Sequence, residues 1–288
     1  MASQSNKHKL NTFHLFAGAG GGILADLLLG HNPIGACEIE PYPRDVLLAR
    51  QRDGHLPSFP IWDDVCSLDG TPWKGTVDVL CGGFPCQDIS AAGKGAGITG
   101  ERSKLWKEYA RLIGEMQPRF VFAENSPLLR TRGLGVVLED LASLGYNARW
   151  GIIGARSVGA PHKRDRMWVL AYSSSLSWSR RGSQQRRCSK NQNTSGCGGD
   201  QLSGVSYDDQ RNHPSQVPSR LENGSIEQAH RTTRSKVFGT GVWWTARPDV
   251  RRISDGVADR VDRLKAIGNG QVPQCAAVAF NILSEGLI

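Results

Sequence analysis

No apolar run in this chain is long enough to cross a bilayer, which leaves no membrane-spanning helix to expect. The opening residues Met1 to Lys7 also lack the apolar core of a secretory signal, so a cytoplasmic protein is expected. Paired cysteines are missing as well. The seven cysteines are odd in number and scattered, with no CxxC pair, which argues against a disulfide framework and against a structural zinc site. No metal and no internal repeat are expected.

What is present suits one large α/β domain, or a main domain with a smaller insertion. The chain has 288 residues, 39% of them hydrophobic, enough for a sizeable core. Its net charge of +8 favours an anionic partner, nucleic acid or an acidic surface. Much of that charge falls in one polar segment.

From about Asn11 to Tyr172, strand-like and helix-like runs alternate. Strands are expected at Thr12–Phe16, Ile34–Ile39, Val77–Cys81, Arg119–Glu124 and Met167–Tyr172. Helices are expected at Ile23–Leu29, Pro43–Arg50, Arg102–Gln117 and Leu134–Leu144. Leu105, Tyr109, Leu112, Ile113 and Met116 line one side of the third. Such alternation implies a mainly parallel sheet with helices on both faces.

From Ser173 to about Lys236 the composition turns to Ser, Gly, Gln, Asn and Arg, with few aliphatics. Arg180, Arg181, Arg186, Arg187, Lys190, Arg231 and Arg234 make it basic. It reads either as a solvated linker or as a nucleic-acid contact module inserted in the main fold. A last helix, Pro273–Leu283, should pack back on the first domain. The expected division is 1–172, an insert at 173–245, and a returning segment at 246–288.

Gly82-Gly83-Phe84-Pro85-Cys86-Gln87 places a thiol after a proline, in a glycine-flanked turn that follows a short apolar strand. Proline fixes φ and glycine permits a tight turn, so the loop can hold Cys86 at the carboxyl edge of a sheet. There it is a candidate nucleophile once neighbouring cations lower its pKa. A buried small hydrophobe is the other reading, and only further motifs separate the two.

Phe16-Ala17-Gly18-Ala19-Gly20-Gly21-Gly22 lies between the first strand and the first helix. It is a nucleotide-type glycine loop without the third glycine of GxGxxG, since Ile23 stands there. Glu38, about twenty residues on, ends the second strand and can accept hydrogen bonds from ribose hydroxyls. The two together indicate an adenosyl ligand, without separating a dinucleotide from S-adenosylmethionine. Glu124-Asn125-Ser126 ends another strand and should reach the same edge as Pro85-Cys86. His162 to Arg166 form a turn that brings two guanidinium groups to a nearby site, and Gly268-Asn269-Gly270-Gln271-Val272-Pro273 follows near the C-terminus.

In this order the residues resemble the cytosine-5 DNA methyltransferase family, over almost the whole chain outside the polar insert. The resemblance implies a Rossmann-like methyltransferase fold and S-adenosylmethionine as methyl donor. For that cofactor it implies Phe16, Ala17, Gly18, Gly20, Gly21, Glu38, Ile39, Asp64, Val65, Pro85, Leu105, Asn269 and Gln271. It makes Cys86 the nucleophile, Glu124 the acid at the base's N3, Arg166 the donor to its exocyclic oxygen, and Arg164 a charge favouring the thiolate or a phosphate. Gly93, Gly95 and Gly97 suit a loop that closes over a flipped base, with Gln87, Ser90, Lys94 and Arg102 as DNA contacts.

The sequence departs from the family pattern at His14, where an aspartate is common, at Ser126 for a valine, and at His162 for a glutamine. Arg251 to Gly256 and Arg260 stand in for an arginine-rich motif, in a form similar to phage or prophage members. The expected partner is double-stranded DNA, with a cognate restriction endonuclease as a further candidate and a monomer as the expected state. RNA cytosine methylation and a non-catalytic DNA-binding protein on the same fold are the alternatives.

Overall fold

Alternation along Thr12-Phe13-His14-Leu15 sets the two sides of the molecule. Phe13 and Leu15 face one apolar cluster, while Thr12 and His14 are buried on the opposite face. The computed structural model of the protein describes residues 9–85, 104–173 and 260–288. Cys86, Gln87, Ser90, Gly93, Lys94, Gly95, Gly97 and Arg102 lie outside them, as does nearly all of the expected insert.

The chain runs β1 (Asn11–Leu15), α1 (Gly21–Leu29), β2 (Asn32–Cys37), α2 (Pro41–Arg52), β3 (Ile61–Trp62) and β4 (Val79–Gly82). It continues through α3 (Lys104–Met116), β5 (Phe120–Asn125), α4 (Leu129–Arg132), α5 (Leu134–Ser143), β6 (Tyr146–Gly154) and β7 (Asp165–Ser173). Two helices close the described chain, α6 (Arg260–Asn269) and α7 (Pro273–Leu283). One seven-stranded sheet has the order β3-β2-β1-β4-β5-β7-β6. The first five in that order are parallel; β7 is antiparallel to both β5 and β6.

Register decides what meets at the sheet edge. Leu15 pairs with Gly82, and Gly82 with Ala123, so β1, β4 and β5 end side by side. Antiparallel β7 brings its beginning to that same edge, where Met167 pairs with Asn125. A parallel β7 would have carried residues 162–166 to the far edge.

Each sheet face is covered. On one, Leu80, Val121 and Ala123 pack against Trp106, Tyr109 and Leu112 of α3 and against α5. Burial of Trp106, Tyr109, Leu112, Ile113 and Met116 follows the helical spacing of the sequence. On the other face Val79, Cys81, Phe120 and Phe122 pack against α7. Eight of the eleven α7 residues are buried, which makes this helix core rather than appendage. Each large side chain buried this way contributes about 1.5–3 kcal/mol.

The expected strands and helices all appear, with ends displaced by a few residues, and α7 spans the expected residues. Four of these elements have no counterpart in the sequence reading: β3, the one-turn α4, β6 and α6. β3 is only two residues long, and β6 at the sheet rim carries Arg149 and Gly151 with a mixed burial pattern. α6 exposes Val261, Leu264 and Ile267, so its apolar residues mark no core face among the described residues.

Candidate active site

The glycine loop leaves β1 through a left-handed Phe16 (φ 53°), followed by left-handed Gly18 (φ 54°) and Gly20 (φ 92°). Nothing lies within 4 Å of where a Cβ on Gly18 would stand, so this turn opens onto free space. Buried Glu38 faces it. The Glu38 carboxylate accepts the Gly18 N–H at 2.6 Å and the Glu40 N–H at 2.8 Å. Ile39 beside it is 63% exposed, an apolar side chain at the sheet edge. A carboxylate with lone pairs to spare, an open glycine turn and an exposed aliphatic fit the ribose and ring of an adenosyl group.

Asp64 and Val65 follow β3. The Asp64 carboxylate accepts the Cys66 N–H at 2.9 Å, which tightens the turn. Arg111 of α3 donates to the carbonyls of Val65 (2.9 Å) and Leu68 (3.1 Å) and pairs with Glu108 and Glu115. The sequence reading missed Arg111; its only local signal is the pair of glutamates at helical spacing. Leu105 and Phe16 are half-buried against the apolar cluster that includes Val65 and Phe84.

After β4 the chain passes Gly83 and buries Phe84 against Trp106 at 5.1 Å between ring centres. Asn125 donates its amide N–H to the Phe84 carbonyl at 3.1 Å. These two contacts fix the departure of Pro85, which is exposed and immediately precedes Cys86. The Asn of Glu124-Asn125 therefore holds the chain at Phe84, two residues before Cys86.

Glu124 is 9% exposed. Its Oε1 lies 2.8 Å from Nε of Arg166, and the side-chain amide of Gln271 stands near the same carboxyl over Gly83. Burial raises the Glu124 pKa, and the charges of Arg166 and Arg164 oppose that without cancelling it. A carboxyl whose pKa is raised beside a fixed cation can donate a proton and take it back.

Arg164 turns elsewhere. In a left-handed conformation (φ 35°), it donates through Nη2 to the carbonyls of Gly268 (2.7 Å) and Gly270 (2.5 Å). It thereby ties α6 and the loop before α7 to β7, and neither a thiolate nor a phosphate is needed to explain it. Asn269 is exposed between those two carbonyls, while Gln271 is half-buried. The backbone carbonyl of Gln271 closes on Gly21, leaving no room there for a Cβ.

His14 has a clear partner. Its Nε2 lies 2.5 Å from Oδ2 of Asp26, which also accepts the Thr12 hydroxyl at 2.5 Å. Burial opposes ionisation of Asp26, but the charge and hydrogen bond of His14, with His31 and Thr12, outweigh it and bring the pKa down to about 2. Asp26 was invisible in the sequence because it interrupts an apolar helix with no motif around it.

Four cysteines lie among the described residues: Cys37, Cys66, Cys81 and Cys275. Burial pushes all four thiols up, Cys37 and Cys275 to about 12. None of these four is poised as a thiolate. Among the described residues no helix is long and apolar enough to cross a membrane.

The family model described as C-5 cytosine-specific DNA methylase matches residues 10–260. The type II methyltransferase M.Eco47II of Escherichia coli is 33% identical over 167 residues, covering 56% of this chain and 39% of that protein. M.HhaI of Haemophilus parahaemolyticus, another type II methyltransferase, is 29% identical over 174 residues, covering 58% and 50%. The chain thus spans half or less of these relatives' length. The solved structure of the Entamoeba histolytica methyltransferase EhMeth aligns with 98% of this chain and 100% of its own, at a TM-score of 0.59 and 15% identity. That likeness is one of fold, a Rossmann-like methyltransferase fold.

Proposed function

The chain belongs to the C-5 cytosine-specific DNA methylase family, and on that premise we propose that it methylates C5 of a flipped cytosine in a specific duplex DNA sequence, using S-adenosylmethionine. The observation that carries the proposal is the pair of buried Glu124 with half-buried Arg166, set against Gly83 on the loop that leads to Cys86. A carboxyl with a raised pKa and a guanidinium have little structural use at an open sheet edge. They do suit a heterocycle that must gain electron density and a proton together.

C5 of cytosine is a poor nucleophile. The Cys86 thiolate adds to C6 while Glu124 gives its proton to N3, so the C5–C6 bond becomes single and a C4–C5 double bond forms, an enamine nucleophilic at C5. Arg166 donates to the exocyclic oxygen, where charge gathers. S-adenosylmethionine would supply an electrophilic methyl group and leave as S-adenosylhomocysteine, and the loop Phe16–Gly21 and Glu38 would hold it. Once C5 carries the methyl, a base removes the C5 proton, the thiolate leaves C6, and the N3 proton returns to Glu124.

The target atom is hidden in a duplex, so the base must be extruded. Segment 173–245 is the proposed reader of the sequence, because it interrupts the α/β pattern with arginines and amides suited to phosphates and base edges. A cognate restriction endonuclease is a candidate partner.

Expression in a methylation-deficient host, followed by mapping of 5-methylcytosine, tests this directly. One short motif should emerge, and a swap of segment 173–245 with a relative's should change it. Methylation confined to RNA, or none by folded protein, would overturn the proposal. Cys86→Ser should abolish turnover, and wild-type protein should be trapped covalently on DNA containing 5-fluorocytosine, because fluorine blocks the final elimination.

A further inference from the structure

The side chain of Gln271 is housed between two glycines. A Cβ on Gly22 would stand 2.8 Å from its Oε1, and a Cβ on Gly83 would stand 3.2 Å from its Nε2. The same Gly83 position lies 2.7 Å from Oε2 of Glu124. The amide therefore fills a slot that exists only because both neighbours lack side chains. Its nitrogen end lies toward Glu124, where the amide N–H favours the ionised carboxyl.

Two further contacts hold the slot shut. Arg164 clamps the carbonyls of Gly268 and Gly270 just before Gln271, and the Gln271 carbonyl closes on Gly21. Gln271 is then fixed from the backbone outward, while Arg166 approaches the other Glu124 oxygen, Oε1.

We infer that Gln271 is the positioning residue of Glu124, donating its amide N–H to Oε2 and setting the plane in which the carboxyl meets the base. The inference rests on the proposed cytosine chemistry and assigns Gln271 to the acid rather than to the cofactor. Its loss would leave a buried carboxyl oxygen without its donor and the carboxyl free to rotate about its last bond. Among the described residues, the other charged or titratable groups that bear on Glu124 are Arg164 just before β7, Arg166 on β7 and Cys275 on α7. Cys275 is held up at about 12 and remains neutral, so the arginines stay the fixed charges against which a change at Gln271 is read.

The test is Gln271→Met, which keeps the length and removes the donor. Removal of a hydrogen bond to the ionised form should raise the titration midpoint of Glu124, read by carboxyl 13C NMR with Glu124→Gln as the assignment control. The alkaline limb of the methylation profile should move up with it, while kcat falls roughly five- to tenfold and KM for S-adenosylmethionine holds. Gly83→Ala, which pushes a methyl group between Nε2 and Oε2, should shift the same midpoint without altering Gln271. An unmoved midpoint in either folded variant, or a raised cofactor KM with an unmoved profile, would refute the inference. Wild-type protein that does not methylate cytosine would instead refute the proposed function, and the NMR titration would still report whether Gln271 and Glu124 are coupled.

Discussion

Nε of Arg166 lies 2.8 Å from Oε1 of Glu124, across the antiparallel pairing of β7 with β5. One residue ends its strand's approach to the edge and the other begins its strand's departure from it. Glu124 pairs directly with Trp168, and Arg166 stands two residues further out. The two side chains meet over the sheet edge, where both the glycine loop and the cysteine loop begin.

Glu124→Gln should reduce the methylation rate by about 10²–10⁴-fold, the span expected for loss of a positioned acid. DNA and cofactor binding should survive, because the amide keeps the shape. In the wild type, burial raises the Glu124 pKa, so the protonated form persists to higher pH than for an exposed glutamate. Activity should fall on the alkaline side of that raised value, and the Gln variant should lose this limb. Transfer of radiolabelled methyl groups across pH checks both.

Glu38→Ala should weaken S-adenosylmethionine binding by about 1.5–3 kcal/mol, as expected when a charge-assisted hydrogen bond is lost. Asn269→Ala should weaken it less, since Asn269 is exposed. Calorimetry distinguishes the two, and unchanged affinity in Glu38→Ala would remove the carboxylate from the cofactor site.

Arg164→Ala should loosen the α6–α7 loop from β7 by removing the donor to Gly268 and Gly270. The expected cost is about 1.5–3 kcal/mol of stability, measured by urea unfolding, with faster amide exchange across 266–272. Were Arg164 only a charge near the thiolate, Arg164→Ala would unfold at the wild-type midpoint.

Asp26→Asn should destabilise the fold by about 3–5 kcal/mol, because it breaks a buried pair and strands His14. The wild-type contribution depends on pH with a definite sign. The Asp26 pKa is lowered from 3.8 to about 2 on folding, so its stabilisation is present above about pH 4 and is lost as pH falls toward 2. Acid unfolding followed by circular dichroism should show this loss in the wild type and not in Asp26→Asn.

Much of this protein was determined by local sequence. Spacing alone marked α3 and α7, and glycines with flanking apolar strands marked the loops at Gly18 and Gly83, because helical faces and tight turns depend on near neighbours. Order along the chain also sufficed to bring Glu38, Glu124, Arg164, Arg166 and Gln271 under suspicion. Only the tertiary structure decided what each one touches. Nothing local in Met167–Tyr172 distinguishes a parallel from an antiparallel strand, yet that direction alone places Arg166 on Glu124 rather than at the opposite edge. Likewise, Gln271 reaches Glu124 across 147 positions through a slot made by Gly22 and Gly83, and His14 finds Asp26 by facing the inner side of α1. Pairings of this kind are set by long-range strand register and by packing of α7 on the sheet, which no window of neighbouring residues contains.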